Sequence, residues 1–208
     1  MLNDAFPSKR PGSPGDRIAA FARFRRHLGV GRCLVLGWVC FVLPCQGQEP
    51  AVHVERHGKS VVIDVDMPVA VAPATAWAVL TDYDRMATFL SNLSSSKIVE
   101  RRGDVLHIAQ SGRTRFAFMT FSFAAVRAVE LVPMREIRSS LVSGDFESYV
   151  STTRLLDLSG GVRVMHHGEY VPKAWLPPMV GVAVIESETR KQFAEFAAEM
   201  LRRQAAQK

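Results

Sequence analysis

Ser60-Val-Val-Ile-Asp-Val-Asp-Met-Pro-Val-Ala-Val-Ala-Pro-Ala-Thr-Ala-Trp-Ala-Val-Leu-Thr-Asp-Tyr-Asp-Arg-Met-Ala-Thr-Phe-Leu90 holds the order of elements that decides the fold. Its first part alternates. Val61, Ile63, Val65 and Met67 face one way, and Asp64 and Asp66 the other, which is the period of a half-buried strand. Pro68 cannot donate to a ladder, so it predicts a sheet edge or a bulge there. Pro73 to Leu80 reads as a short helix, with proline in the first turn and Trp77 and Leu80 as its apolar stripe. Thr81-Asp82-Tyr83-Asp84 ends that helix, and its two aspartates offer a cap for a second short helix from Arg85 to Leu90.

Downstream the pattern is one of strands. Lys97 to Arg101 and Val105 to Gln110 flank Arg102-Gly103-Asp104, a hairpin turn. A long strand is expected from Arg113 to Val132. Its phenylalanines stand at Phe116 and Phe118 and then at Phe121 and Phe123, so the period of two slips at Met119-Thr120, which reads as a β-bulge. Glu136 to Val142 and Phe146 to Leu158 flank Ser143-Gly144-Asp145, and Val162 to Val171 follows Ser159-Gly160-Gly161. Beyond Pro172-Lys-Ala-Trp-Leu-Pro-Pro178 lies the one long helical pattern, about Met179 to Gln204. Val182, Ile185, Thr189, Phe193, Phe196 and Met200 form one face; Glu186, Arg190, Lys191 and Glu199 lie elsewhere. The expected fold class is α+β: a curved antiparallel sheet of seven strands wrapped around a long C-terminal helix, with two short helices after the first strand. The domain spans residues 60–204, and the polar stretch 48–59 reads as a flexible lead-in.

The front of the chain has another character. Residues 1–47 carry seven basic side chains against two acidic ones, a net +5, whereas residues 48–208 hold nineteen against eighteen, a net +1. The +6 of the whole chain therefore sits mostly at the front, and the folded part has no electrostatic footprint for nucleic acid. Cys33 to Cys45 is uncharged but shorter than the ~20 residues of a membrane span. A basic flank, an apolar core and small residues before a cut after Gly47 make the layout of a bacterial export signal, 1–47, and point to the periplasm. Arg25-Arg26-His27-Leu28 is a partial twin-arginine match, and the alternative is an uncleaved N-terminal anchor in the inner membrane. Cys33, Cys40 and Cys45 all lie in this segment, so a cleaved protein has no thiol for disulfides, catalysis or metal.

The order of elements resembles the SRPBCC superfamily, also called START-like or helix-grip, and within it the polyketide cyclase/dehydrase and coenzyme Q-binding branch. The stretches that carry the resemblance are Val71 to Trp77, Leu80 to Leu93, Leu141 to Phe146 and Pro172 to Pro178, within a match over about residues 60–202. The resemblance implies a cavity between sheet and helix that takes lipids, quinones, sterols or polyketides. Members of the coenzyme Q branch often have Pro-Trp where this chain has Ser91-Asn92.

Catalytic signatures are missing. The sequence has no Gly-x-Ser-x-Gly elbow, phosphate loop, dinucleotide fingerprint or His-Glu-x-x-His. His166 and His167 are adjacent on a strand and point to opposite faces, so they read as one core and one surface histidine, with no metal expected. His107 is a further histidine on the sheet, and His53 and His57 fall in the lead-in. Arg113 and Arg115 share a strand face and read as exposed, or as receivers of a carboxylate or phosphate head group. The ligand-pocket candidates are Phe116, Phe118, Phe121, Phe123, Trp175, Met179, Ile185 and Phe193; the competing reading is that they fill a core. The function expected is binding or carriage of a hydrophobic small molecule by a monomer, with transient membrane contact and no cofactor. The alternatives are an acid–base enzyme of the cyclase/dehydrase type and a module that docks a partner.

Overall fold

The computed structural model describes residues 49–116, 119–173 and 181–207. Residues 1–47, where an export signal is expected, lie outside them, as do Phe118, Trp175, Met179 and the side chains of Phe116 and Arg115. Eight strands form one sheet: β1 (Ala51–His57), β2 (Ser60–Val69), β3 (Leu93–Arg102), β4 (Val105–Phe116), β5 (Met119–Val132), β6 (Glu136–Gly144), β7 (Phe146–Leu158) and β8 (Gly161–Pro172). Between β2 and β3 come helix α1 (Pro73–Leu80) and a 3₁₀ helix (Tyr83–Thr88), and the chain closes with α2 (Gly181–Ala205). Every neighbouring pair is antiparallel, in the order β1-β2-β8-β7-β6-β5-β4-β3. The expected α+β class, antiparallel sheet and long terminal helix are all present.

The strand count is eight rather than seven, because residues 51–57 form β1 and are not a flexible lead-in. Val54 is buried and Val52 half-buried on the same face, but two apolar positions separated by His53 and Glu55 are too short a pattern to show a strand by themselves. The pairing of β1 with β2, from Ala51–Asp66 to His57–Ser60, supplies what local sequence lacks. That pairing makes β2 an interior strand, not an edge. Pro68 is tolerated because it lies beyond the last β1 partner, Asp66, so no strand on that side needs its missing N–H.

The slip at Met119-Thr120 also has a different cause. Phe116 pairs with Met119, so the chain reverses between them and the long expected strand is the hairpin of β4 and β5. The hairpin turn at Gly103 is as expected, with the glycine at φ +58°. A bulge does occur in β5–β6, where the partner of Val126 is Ser143 and that of Arg127 is Leu141, leaving Val142 extra. Pairing of β6 with β7 stops at Ser140–Val150, although both strands run on.

One end of the molecule is solid core. Met67, Val79, Leu90, Ile108, Val129, Val162, Val164 and Met200 are almost fully enclosed there. Burial of each such side chain contributes roughly 1.5–3 kcal/mol. On α2 the inward residues include Thr189, Phe193, Phe196 and Met200, as the pattern predicts, and also Glu199, which was expected elsewhere. Glu199 is held by charge: Arg202 Nε donates to Oε2 at 2.7 Å and Arg203 Nε to Oε1 at 2.7 Å. These contacts take its carboxyl down to about 2.

Candidate functional site

Across β5, β7 and β8 the inward side chains change character at one level. Val129, Leu155 and Val164 are buried in the core. Two residues along each strand, toward the other end of the sheet, stand Arg127, Thr153 and His166, and these line a cavity of about 410 Å³ between the sheet and α2. Further along lie Phe121, Phe123, Tyr149 and Tyr170, while α2 supplies Val184, Ile185, Phe193 and Phe196. The volume is within the usual range for small-molecule sites, and the wall is mostly apolar, with polar groups interspersed.

Of the sequence-predicted pocket residues, Phe121, Phe123, Ile185 and Phe193 line the cavity; the other four lie outside the described residues or side chains. Phe123 reaches its place because Gly112 on β4 has no side chain: a Cβ there would stand 2.6 Å from the Phe123 ring and 2.1 Å from the Asn92 carbonyl oxygen. Phe193 and Phe196 do both things asked of them. They are buried in the core cluster and they also face the cavity. Their rings are 5.9 Å apart, with Phe89 5.8 Å from Phe196 and His166 5.3 Å from Phe193.

The deep end is a hydrogen-bonded polar cluster that sequence reading did not single out. Arg127 Nη1 donates to the Tyr149 hydroxyl at 3.1 Å, and Nη2 donates to Gln110 Oε1. Gln110 Nε2 donates to Ser96 Oγ at 2.9 Å, and the Tyr149 hydroxyl donates to Ser151 Oγ at 3.1 Å. The available signal was the face itself. Arg127 falls in register with Phe121, Phe123, Ala125 and Val129, a lone charge on an apolar alternation. Tyr83, read from sequence as part of a helix cap, is buried and lines the same cavity; burial pushes its hydroxyl up to about 12. Burial likewise raises Tyr170. Both phenols are therefore neutral donors at pH 7.

His166 and His167 do face opposite ways. His166 points into the cavity and its Nδ1 lies 2.8 Å from Thr153 Oγ1, whereas His167 is exposed and lies 2.7 Å from Asp64 Oδ1. Burial, aided by the charge of Arg127, takes His166 down to about 4, so it is neutral at pH 7. His107 meets neither; its Nδ1 lies 3.0 Å from Glu100 Oε2. His53 and His57 both contact Glu55 on β1. Among the described residues no three His, Cys, Asp or Glu side chains converge as a metal set. Arg113 is exposed.

Asp82 and Asp84 do not cap the 3₁₀ helix, since Asp82 at the cap position makes no side-chain cap bond. Asp84 Oδ1 instead accepts from the Ile98 N–H at 2.9 Å, and Asp82 Oδ2 accepts from Arg203 at 2.7 Å. Both aspartates dock the helical insert onto neighbouring elements. The Ser91-Asn92 pair has a similar role: the Ser91 N–H donates to Glu195 at 2.9 Å and Asn92 Nδ2 to Gln192 at 3.1 Å, fastening this loop to α2 beside the cavity.

A bent antiparallel sheet closed by one long helix over an internal cavity defines a helix-grip protein of the START-like class. The chain belongs to the family described as "Polyketide cyclase / dehydrase and lipid transport", whose model matches residues 69–197. Solved structures share the fold at low identity. A STAR-related lipid transfer protein from Xanthomonas axonopodis superposes with a TM-score of 0.60 at 10% identity, covering 74% of this chain and 94% of that one. The Zhui aromatase/cyclase from Streptomyces sp. R1128 gives 0.56 at 16%, covering 69% and 95%. A START superfamily protein from Mycobacterium smegmatis gives 0.54 at 14%, covering 71% and 99%. Comparison with curated proteins finds no sequence match.

Proposed function

We propose that this domain binds and carries a hydrophobic small molecule in the cavity between the sheet and α2. The observation that carries the reading is the cavity of about 410 Å³, apolar along most of its wall, with a hydrogen-bonded polar cluster at its deep end. Such a site removes an apolar chain from water while a few fixed groups orient it. The family and the Xanthomonas likeness support this reading. We also infer export to the periplasm from the layout of residues 1–47. The test is native mass spectrometry of protein purified from cells that express it with its own leader, together with titration by an uncharged apolar dye such as Nile red. A bound lipid-like mass, displaced by the dye, is expected. Protein that is repeatedly ligand-free and leaves the dye's emission neither enhanced nor shifted rejects carriage.

A second reading, a cyclase/dehydrase-type enzyme, is favoured by one observation: a neutral imidazole, His166, stands in the cavity wall with the Arg127 charge near it. Such a pair could take a proton next to a ketone and steady the enolate. Carriage ranks first because an imidazole held at about 4 is a weak base at neutral pH. Deuterium exchange at the α-carbon of a long-chain β-keto ester discriminates the two. Exchange that His166→Gln abolishes, with Nile red binding retained, supports the enzyme, and exchange no faster than in buffer removes it.

A further inference from the structure

The deep end of the cavity holds a permanent cation without a counter-charge. Arg127 is half-buried and is the only lysine or arginine among the described residues that line the cavity. Its guanidinium is held in place: Gln110 and Tyr149 accept from its two terminal nitrogens, and its carbon lies 5.3 Å from the centre of the Tyr149 ring. Gln110 is in turn fixed by Ser96. A guanidinium has five N–H donors, and two are used here by neutral acceptors. No carboxylate among the described residues pairs with it. Of the two carboxylates that line the cavity among the described residues, Asp145 accepts from the Ala124 N–H at 2.7 Å, and Glu188 belongs to α2 and makes no ion pair with any described residue.

A partly desolvated cation with unused donors is costly in the protein alone, and the cost is offset when an anion with two oxygens meets it. Resting on the reading that this cavity binds a hydrophobic small molecule, we propose that its ligand is a monoanionic carboxylate amphiphile, the carboxylate on Arg127 and the apolar chain along Phe121, Phe123 and Phe193. A planar guanidinium matches the geometry of a carboxylate with two parallel hydrogen bonds. A phosphate monoester, which carries close to two negative charges at neutral pH, would keep one of them uncompensated, because Arg127 is the one lysine or arginine among the described residues that line the cavity. The hydroxyls of Tyr83 and Tyr170 have no protein partner among the described residues and complete the set of neutral donors around the site.

Calorimetric titration of the full chain at pH 7 with dodecanoate, dodecanol and methyl dodecanoate tests this. Wild type is expected to bind dodecanoate about tenfold or more tightly than the two neutral analogues, the worth of one charge-assisted hydrogen-bond pair. Arg127→Met is expected to remove that preference while still binding dodecanol, and Arg127→Lys to keep part of it. Equal binding of the three by wild type, or a preference that survives Arg127→Met, overturns the carboxylate assignment and leaves the cavity reading standing. Binding of none by wild type overturns both. If Arg127→Met fails to fold, as judged by circular dichroism, the wild-type comparison and Arg127→Lys still decide.

Discussion

Asp82 and Arg203 are 121 residues apart in sequence and meet at 2.7 Å. Arg203 also donates to Glu199 on its own helix and lies 5.8 Å from the Phe89 ring centre. One guanidinium therefore joins the turn after α1, the loop after the 3₁₀ helix and the last turns of α2. Both partners are largely shielded, at 17% and 21% side-chain exposure. Removing the cation leaves Asp82 with only the more exposed Arg85, at 3.8 Å, and Glu199 with Arg202 alone. Arg203→Met is expected to cost about 3 kcal/mol, read from urea unfolding. A loss below about 0.5 kcal/mol, the range of an exposed pair, rejects this account of how α2 is held.

That contact also shows where sequence reading ends. The strand of Val61, Ile63, Val65 and Met67 was legible because a period of two is a local property, and so were the opposite faces of His166 and His167. The bond from Asp82 was not, because a helix cap is a local explanation that an aspartate beside a helix start always offers. The β4–β5 hairpin was hidden for a related reason: Ala117 and Phe118 between Phe116 and Met119 are not turn formers, so the reversal resembled a bulge. Arg127 was missed because an arginine within a strand usually marks the solvent face, and only the register with Ala125 and Val129 turns it inward.

The proposed export of this chain yields an expected mass. If residues 1–47 form a cleaved signal, mass analysis of the exported protein should give an N-terminus near Gln48, three residues before β1 begins at Ala51. Its three cysteines would leave with it. An intact N-terminus in the membrane fraction means the segment is an anchor instead.

His166 sets an acid limit on stability. Its folded value, about 4, lies below the ordinary 6.5, so the unfolded chain binds the proton more readily. Stability is then constant above about pH 6.5, falls as pH drops from 6.5 to about 4, and has lost this contribution fully below that. The loss amounts to about 3 kcal/mol. Glu199, held at about 2, adds a further loss below its ordinary 4.5 with the same sign. Chemical denaturation across this range should show both windows in wild type. In His166→Gln the decline between pH 6.5 and 4.5 should vanish, and its persistence would assign the effect to another group.

Two inward positions on α2, Phe193 at its middle and Met200 near its end, should respond differently to truncation. Met200 is fully enclosed and is not among the cavity-lining residues, whereas Phe193 is buried on one side and borders the cavity on the other. Met200→Ala opens a void in close-packed core and is expected to cost about 2–5 kcal/mol. Phe193→Ala enlarges a space that already exists, so its ring gives up fewer contacts and the cost is expected near the lower end of the usual range for phenylalanine, about 3 kcal/mol. Ligand separates them further. A molecule that binds only the folded state raises the melting temperature, and Met200→Ala should keep the wild-type rise produced by a saturating apolar ligand because its site is remote from the cavity wall. Phe193→Ala should lose most of that rise, since the ring is part of the surface the ligand would cover. Thermal melts of both variants with and without dodecanol decide the matter. An unchanged ligand response in Phe193→Ala would show that the ring serves the core alone and that the ligand, if one binds, lies elsewhere.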